Sequence, residues 1–325
     1  MRGYRAAVAG ALTLVAAVLG FGAEAGAQPY PSRQISVVVP FPAGSATDGV
    51  ARRLADNIKE ATGATVIVEN KPGADGNLAA LAVLRAEPDG YTIFVTGNST
   101  HAANVNLFNT MPYDPKADFA AVGGIMTIPM MLTVKPEFPA KTVNEFIAVA
   151  KARAKPLSFA SGNTSSRGSA ELFRSRAGIP LQHVPYRGMP QGITDVLAGQ
   201  VDLIFADTSS GMGAVRDGGL RAIAVTSPKR VASLPDVPTI AESGLPGYEF
   251  AAWVGVFVHA KTSRDIVTRL NELVTAFVNN PATTSYLGTI GATPFPSTPE
   301  QLAAFAEADT KRWAEIVDVA KMEKK

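Results

Sequence analysis

The sequence predicts an α/β fold of two lobes, each built on mostly parallel strands, with a ligand cleft between them and two crossover segments at its base. Three observations predict it. Short apolar runs alternate with helically spaced segments, the pattern of βαβ units. The alternation comes in two sets, separated by strand-like stretches rich in Gly, Pro and Met. The loops that follow the strands share one composition of Gly, Ser, Thr and Asn.

In chain order, Ile35–Val39 and residues 65–69 and 91–96 read as strands, with helical spacing over 48–62 and 76–86 between them. A second set of strands is expected at 157–160, 182–184, 201–206 and 220–226, with helices at 142–155, 168–177, 190–199 and 211–217. Thr142 followed by Glu145 is a capping box, with Glu145 reaching back to the N-cap. Thr298, Pro299 and Gln301 combine a cap, a proline at the first helical position and an amide at the third. The crossovers are placed at 123–134 and 243–255, after which a strand at 253–258 and helices at 263–280 and 299–321 return to the first lobe. This divides the chain into an export signal at 1–27, a first lobe of 28–124 plus 247–325, and a second lobe of 125–246.

Composition narrows the function classes. The 325 residues are 46% hydrophobic and 18% charged with a net charge of +2, enough apolar material for an extended core and too little positive charge for a nucleic-acid face. The N-terminus carries Arg2 and Arg5, then an Ala/Gly-rich apolar run, then Ala25-Gly26-Ala27. That is the order of an export signal cut before Gln28, and the run is too weakly apolar for a spanning helix. There is no cysteine, so disulfides, thiolate nucleophiles, Cys-bound metals and lipid attachment at the cut are excluded.

Catalytic and cofactor motifs are missing. No G-x-G-x-x-G follows a strand, no G-K-[ST] is present, and Ser45 and Ser99 lie in no nucleophile elbow. His101, His183 and His259 have no metal-ligand spacing. His183 and His259 sit in or beside apolar strands and read as structural, whereas the loop of His101 faces the expected cleft. Asp48 and Asp207 are an acid/base pair in principle, but neither has a nucleophile or metal partner, and Asp48 more simply charges the first turn of its helix. The chain is therefore expected to be no enzyme and to need no cofactor or metal. A hydrolase or isomerase acting through Asp48 or Asp207 is the competing reading.

Five loops at strand ends carry the binding chemistry: 40–48, 97–106, 161–170, 185–192 and 207–213. Glycine lets backbone approach a ligand, short hydroxyls and amides donate, and helix N-termini attract anions. Together they can hold a carboxylate without a dedicated arginine.

The stretches "YPSRQISVVVPFPAGSATD", "VIVENKPGADGNLAA", "EPDGYTIFV", "MPYDPKADFAAV", "HVPYRG", "DVLAGQVDLIFAD" and "LRAIAVTSPKRVASLPDVPTIAESG" run in order over nearly the whole chain after the signal. In them the chain resembles the periplasmic receptors of tripartite tricarboxylate transporters, the Bug receptors. The resemblance implies a type II periplasmic binding fold that closes on a small organic acid. The protein would be a periplasmic monomer serving membrane transporter subunits or a sensor kinase. It also implies that Phe41, Ala43, Gly44, Ser45, Thr47 and Asp48 hold the ligand carboxylate. Ser161, Asn163, Thr164, Ser165 and Ser166 would face them from the second lobe, with Tyr186, Gly188 and Asp207 flanking. Asn98 and His101 are added from the loop after the third strand. Two departures from the family pattern stand out. Ser45 replaces a second glycine, and Asn163, which stands where the pattern has a glycine, is expected to take positive φ, a region Asn tolerates better than most residues. Arg167 is a further change, a fork for a second carboxylate or an aromatic ring if it faces the cleft.

Overall fold

A parallel pair of strands begins the fold. In the computed structural model, which describes residues 30–325, β1 (Ile35–Val39) lies between β2 (Val66–Asn70) and β3 (Thr92–Gly97), parallel to both. Residues 33–325 form one compact unit. The export signal expected at 1–27 lies outside the described residues. Among the described residues no helix is long and apolar enough to cross a membrane.

Helix α1 (Ala46–Thr62) follows β1, starting on the Ser45 cap and ending on Gly63 in the left-handed region. It buries Val50, Leu54 and Ile58, one stripe at helical spacing. Helix α2 (Asn77–Leu84) lies between β2 and β3, and a π-helical turn, Ser99–Ala103, leads from β3 into the short α3 (Asn104–Leu107).

Strand β4 (Phe119–Val134) is 16 residues long and belongs to both halves of the sheet. The second half is built from α4 (Val143–Ala152), β5 (Leu157–Ser161), α5 (Thr164–Ala177), β6 (Leu181–Pro185), α6 (Met189–Ala198), β7 (Leu203–Asp207), α7 (Thr208–Arg216) and β8 (Arg221–Val225). Thr142 caps α4 as expected, but Glu145 reaches one residue further back, to the Lys141 N–H at 2.6 Å. Helix α5 begins four residues earlier than its spacing predicts, because Asn163 caps it and draws Thr164–Ser166 into the first turn. The chain returns through β9 (Ala251–His259), α8 (Arg264–Asn279), α9 (Pro281–Thr289), β10 (Thr293–Pro294) and α10 (Pro299–Ala320). The short α9 and β10 carry little periodic signal and were not expected.

The sheet order is β2-β1-β3-β9-β4-β7-β5-β6, with β8 and β10 also on β4. The sheet is mixed rather than mostly parallel. β1–β2, β1–β3, β5–β6 and β5–β7 are parallel, while every pair that involves β4 or β9 is antiparallel. The crossover strands enter each half from the other, so they run against the strands already there.

The change of partner on β4 is abrupt. Residues Phe119 to Pro129 pair with β9, and Met130 to Val134 pair with β7. Pro129 has no N–H to give and closes the first ladder. At the next residue Thr226, wholly buried, ties both crossings together. Its N–H donates to Met130 O (2.9 Å), and its hydroxyl accepts from Met130 N (2.8 Å) and donates to Phe250 O (2.7 Å). Phe250 N returns a bond to Thr226 O (2.9 Å).

Helix α10 packs on both halves. Its Asp309 carboxylate accepts from Trp253 Nε1 on β9 (2.8 Å), while its C-terminal carbonyls at Val319 and Ala320 accept from Ser175 and Arg174 of α5. Replacing Thr226 with the isosteric Val orphans Met130 N and Phe250 O, each buried. The expected cost is about 1–3 kcal/mol per group, read as a lower urea midpoint at unchanged slope.

Candidate functional site

Four helix N-termini meet at one place. Ser45 to Thr47 open α1, Asn163 caps α5, Gly188 and Met189 open α6, and Asp207 caps α7. All of them line a cavity of about 20 Å³ together with Phe41, Pro42 and Gly162. A second cavity of about 30 Å³ shares Phe41, Ala46, Thr47, Asn163 and Asp207 with it. It adds Asn98 and Ser165, and is backed by the crossover strands through Ile128, Met130, Trp253 and Val254.

The loops from the two halves touch. Asn98 Nδ2 donates to Ser165 Oγ at 2.7 Å, both residues being buried. Pro42 lies against Gly188 so closely that a Cβ there would stand 2.7 Å from the proline Cγ, so only glycine allows the approach. Spaces of 20–30 Å³ take only one or two waters, so the loops must part for an organic acid to enter.

The loop after β1 is held by Asp48. Its Oδ2 accepts from Gly44 N (3.0 Å) and Arg52 Nε (3.1 Å), and its Oδ1 from Asn70 Nδ2 (2.9 Å) and, as an ion pair, Arg52 Nη2 (2.9 Å). Asn70 Nδ2 also donates to Phe41 O. Burial pushes this carboxyl up, and the bonds from Arg52, Gly44 and Asn70 outweigh it, so its pKa lies below the usual carboxylate range. With every lone pair engaged, Asp48 has no acceptor left for a substrate proton. Gly44 takes φ +81°, a region a second residue does not need, since Ser45 is extended at φ −73° and caps the helix by accepting from Asp48 N. The serine that replaces a family glycine is thus a cap.

The other predicted residues are placed as follows. Phe41, Ser45, Thr47, Asn98, Asn163, Ser165, Gly188 and Asp207 line the cavities. Ala43 and Gly44 stand exposed at the loop tip, and Asp48 lies behind it. Thr164 and Ser166 are buried in the first turn of α5, with hydroxyls that find no partner. Ser161 bonds His183 Nε2 (2.6 Å), and the Tyr186 hydroxyl turns away to Asp195 (2.6 Å). Asn163 does not take positive φ: it is extended at −161°, and its side chain accepts from Ser166 N.

His101 does not face the cleft. In the π-helical turn it lines a hollow other than the cleft cavities and stacks on Phe257 at 3.7 Å between ring centroids. Burial lowers its pKa to about 3, so the ring is neutral. Arg167 is likewise absent from the cavity walls. It lies close enough to His183 to oppose protonation there, where burial, then Arg167 and Lys325, lower the pKa to about 4 against the pull of Asp75. Burial raises the pKa of Asp207, although Ser210 N donates to its Oδ1 (2.8 Å). The residues that sequence reasoning missed are those of the back wall. The Gly, Pro and Met content of 123–134 marked that segment as a crossover, but nothing in it showed that Met130 and Ile128 would face the cavity. Among the described residues no group of His, Asp and Glu is placed to hold a metal ion.

Residues 50–322 match the model of the tripartite tricarboxylate transporter family receptor. The chain belongs to this family. Several solved structures are similar along their whole length. Rpa4515 of R. palustris, solved with adipate, is 34% identical, with a TM-score of 0.89 over 91% of this chain and 100% of that one. The periplasmic binding protein BugD is 33% identical, with a TM-score of 0.86 over 91% and 100%. MatC of Rhodopseudomonas palustris, solved with malate, is 32% identical, with a TM-score of 0.83 over 89% and 100%. The type II periplasmic binding architecture of two α/β lobes therefore holds for this receptor, with β4 and the segment leading into β9 as its crossovers.

The depressed Asp48 pKa gives a signed expectation. A carboxyl held below its unfolded value near 4 stabilises the fold fully above that pH, and the contribution is lost as pH falls through the folded value. Asp48→Asn is expected to cost about 1–3 kcal/mol at pH 7. Urea unfolding at pH 7 and pH 3 should show the difference from wild type closing at the lower pH.

Proposed function

We propose that this receptor captures a small organic acid in the cleft between its lobes and presents it, in the periplasm, to the membrane subunits of a tripartite tricarboxylate transporter. The observation that carries the reading is the convergence of four helix N-termini on one cavity. Each brings free N–H groups and the positive end of a helix dipole, and together they favour a carboxylate where no lysine or arginine lines the walls. The adipate in Rpa4515 and the malate in MatC support the ligand class. A receptor, rather than an enzyme, is also what the full coordination of Asp48 favours, since it leaves that carboxylate no free acceptor for a substrate proton.

Asp207 fits this role as a hydrogen-bond donor. Its burial favours the neutral carboxyl, which can donate to a ligand carboxylate where a second negative charge would repel it. Ligand uptake follows opening and closing of the lobes, with the closed form selected by contacts from both.

Adipate, malate and a wider panel of organic acids, screened by thermal shift, are expected to yield at least one that raises the midpoint. At about 100 times its dissociation constant it stabilises the fold by about 2.7 kcal/mol. A panel in which only neutral solutes act would overturn the reading. Ser45→Glu is expected to abolish binding of that acid, whereas Ser45→Gly, which loses only a few tenths of a kcal/mol of capping, retains it. Acid affinity should also fall as pH rises through the raised Asp207 pKa, and Asp207→Asn, which always donates, should flatten that profile. Turnover of the bound acid, lost in Asp207→Asn while binding remains, would instead identify an enzyme.

A further inference from the structure

The cleft cavity has two kinds of wall, polar on the loop side and apolar where the strands back it. Side chains alternate across a strand, and residues directly opposite in an antiparallel pair share a face. Ile128 stands opposite Ala252, and Val254 stands between Met126 of β4 and Gly97 of β3. Ile128, Ala252 and Val254 line the cavity, while Thr127, Pro129 and Ala251 fall on the reverse face and line a separate hollow. Gly97 completes the patch. A side chain there would meet the Trp253 carbonyl at 1.8 Å, so the position stays bare. Val254 keeps 4% of its surface accessible, so the patch is not sealed off.

Loops and wall behave differently when an acid enters. The loops must part, whereas the wall is carried on β4 and β9 and is held by their ladder. It is therefore the surface that the body of a ligand meets. The polar side chains across from it are largely engaged. Asn98 and Ser165 bond each other, Asn163 accepts from Ser166 N, and Asp207 accepts from Ser210 N. Thr47 and Ser99 also line the space, but on the loop side, in the first turn of α1 and at the start of the π-helical turn.

This arrangement sorts acids by what lies beyond the carboxylate. A methylene set against Ala252 and Val254 exchanges water for apolar surface, which is favourable. A hydroxyl set there leaves water without gaining a partner, which is costly. An apolar pocket rejects an added hydroxyl by up to about 100-fold. A hydroxyl next to the carboxylate escapes this selection, because it falls among the donors of the loop side. Hydroxyls further along the chain do not escape it.

We propose, resting on the reading of the cleft as an acid site, that Ala252 and Val254 are specificity-determining residues, which select acids with an unsubstituted short carbon chain over acids hydroxylated along that chain. Three matched pairs test this by calorimetric titration: butyrate and 3-hydroxybutyrate, glutarate and 3-hydroxyglutarate, adipate and galactarate. In each pair that binds, the unsubstituted acid is expected to bind about 10–100-fold tighter. Val254→Thr keeps the shape of the side chain and offers a hydroxyl, and should narrow that ratio about 3–10-fold, the value of one hydrogen bond. Val256→Thr, buried on the same strand but outside the cavity walls, should leave the ratio unchanged, which separates selectivity from lost stability. Should Val254→Thr fail to fold, Ala252→Ser reads the same ratio. Equal or tighter binding of the hydroxylated acids, or a ratio that neither variant moves, overturns the proposal. So does a receptor that binds none of the six while binding another acid of the thermal-shift panel. Absence of binding by every acid in that panel overturns the receptor reading itself, and this proposal with it.

Discussion

Both lobes hang on one strand. β4 begins in the ladder of the first lobe and ends in that of the second, and the change of partner falls between Pro129 and Met130. Both crossings between the lobes meet at that point. The proline ends one ladder by lacking an N–H, and Thr226 answers the groups left over on both sides. A joint made of few, fully satisfied backbone groups is firm in register yet narrow, which is what a hinge between two rigid bodies needs. The same point forms the back wall of the cavity through Met130 and Ile128, so the joint and the cavity share residues.

Around that joint the electrostatics are built from backbone rather than from charged side chains. Four helices aim their N-termini at one space, and their caps are Ser45, Asn163, Gly188 and Asp207. Asp48 makes its contribution at one remove: it fixes the loop that presents Ser45 by accepting from Gly44, Asn70 and Arg52. A site of this kind recognises charge without being tied to one ligand length. Its selectivity then falls to shape and to the few side chains on the walls.

Much of this was legible in the sequence, and the reasons differ by element. The strands at 35–39 and 157–161 are apolar runs bounded by turn residues, and α1 and α8 carry clear amphipathic stripes. The strand-end loops announced themselves by composition. The direction of β4 and β9 did not, because pairing partners are a tertiary property and an antiparallel insertion leaves no local mark. Side-chain direction was the other gap. His101 shares a loop with Asn98, yet the two line different hollows, and no sequence pattern distinguishes the π-helical turn between them from an α-helical start. Asn163 was read through the glycine it replaces, whereas its side chain gives it a cap and an extended backbone.

The bond between Asn98 and Ser165 has a consequence for how tightly any ligand is held. It joins protein to protein across the cleft, so it favours the shut receptor whatever the cavity contains. Capture starts from the open form, and a fraction of the molecules is withheld from it by this contact. The measured affinity is the intrinsic one scaled by the open fraction. In the proposed function, a contact of this kind between Asn98 and Ser165 is a gain control, setting how much ligand is needed before the receptor responds.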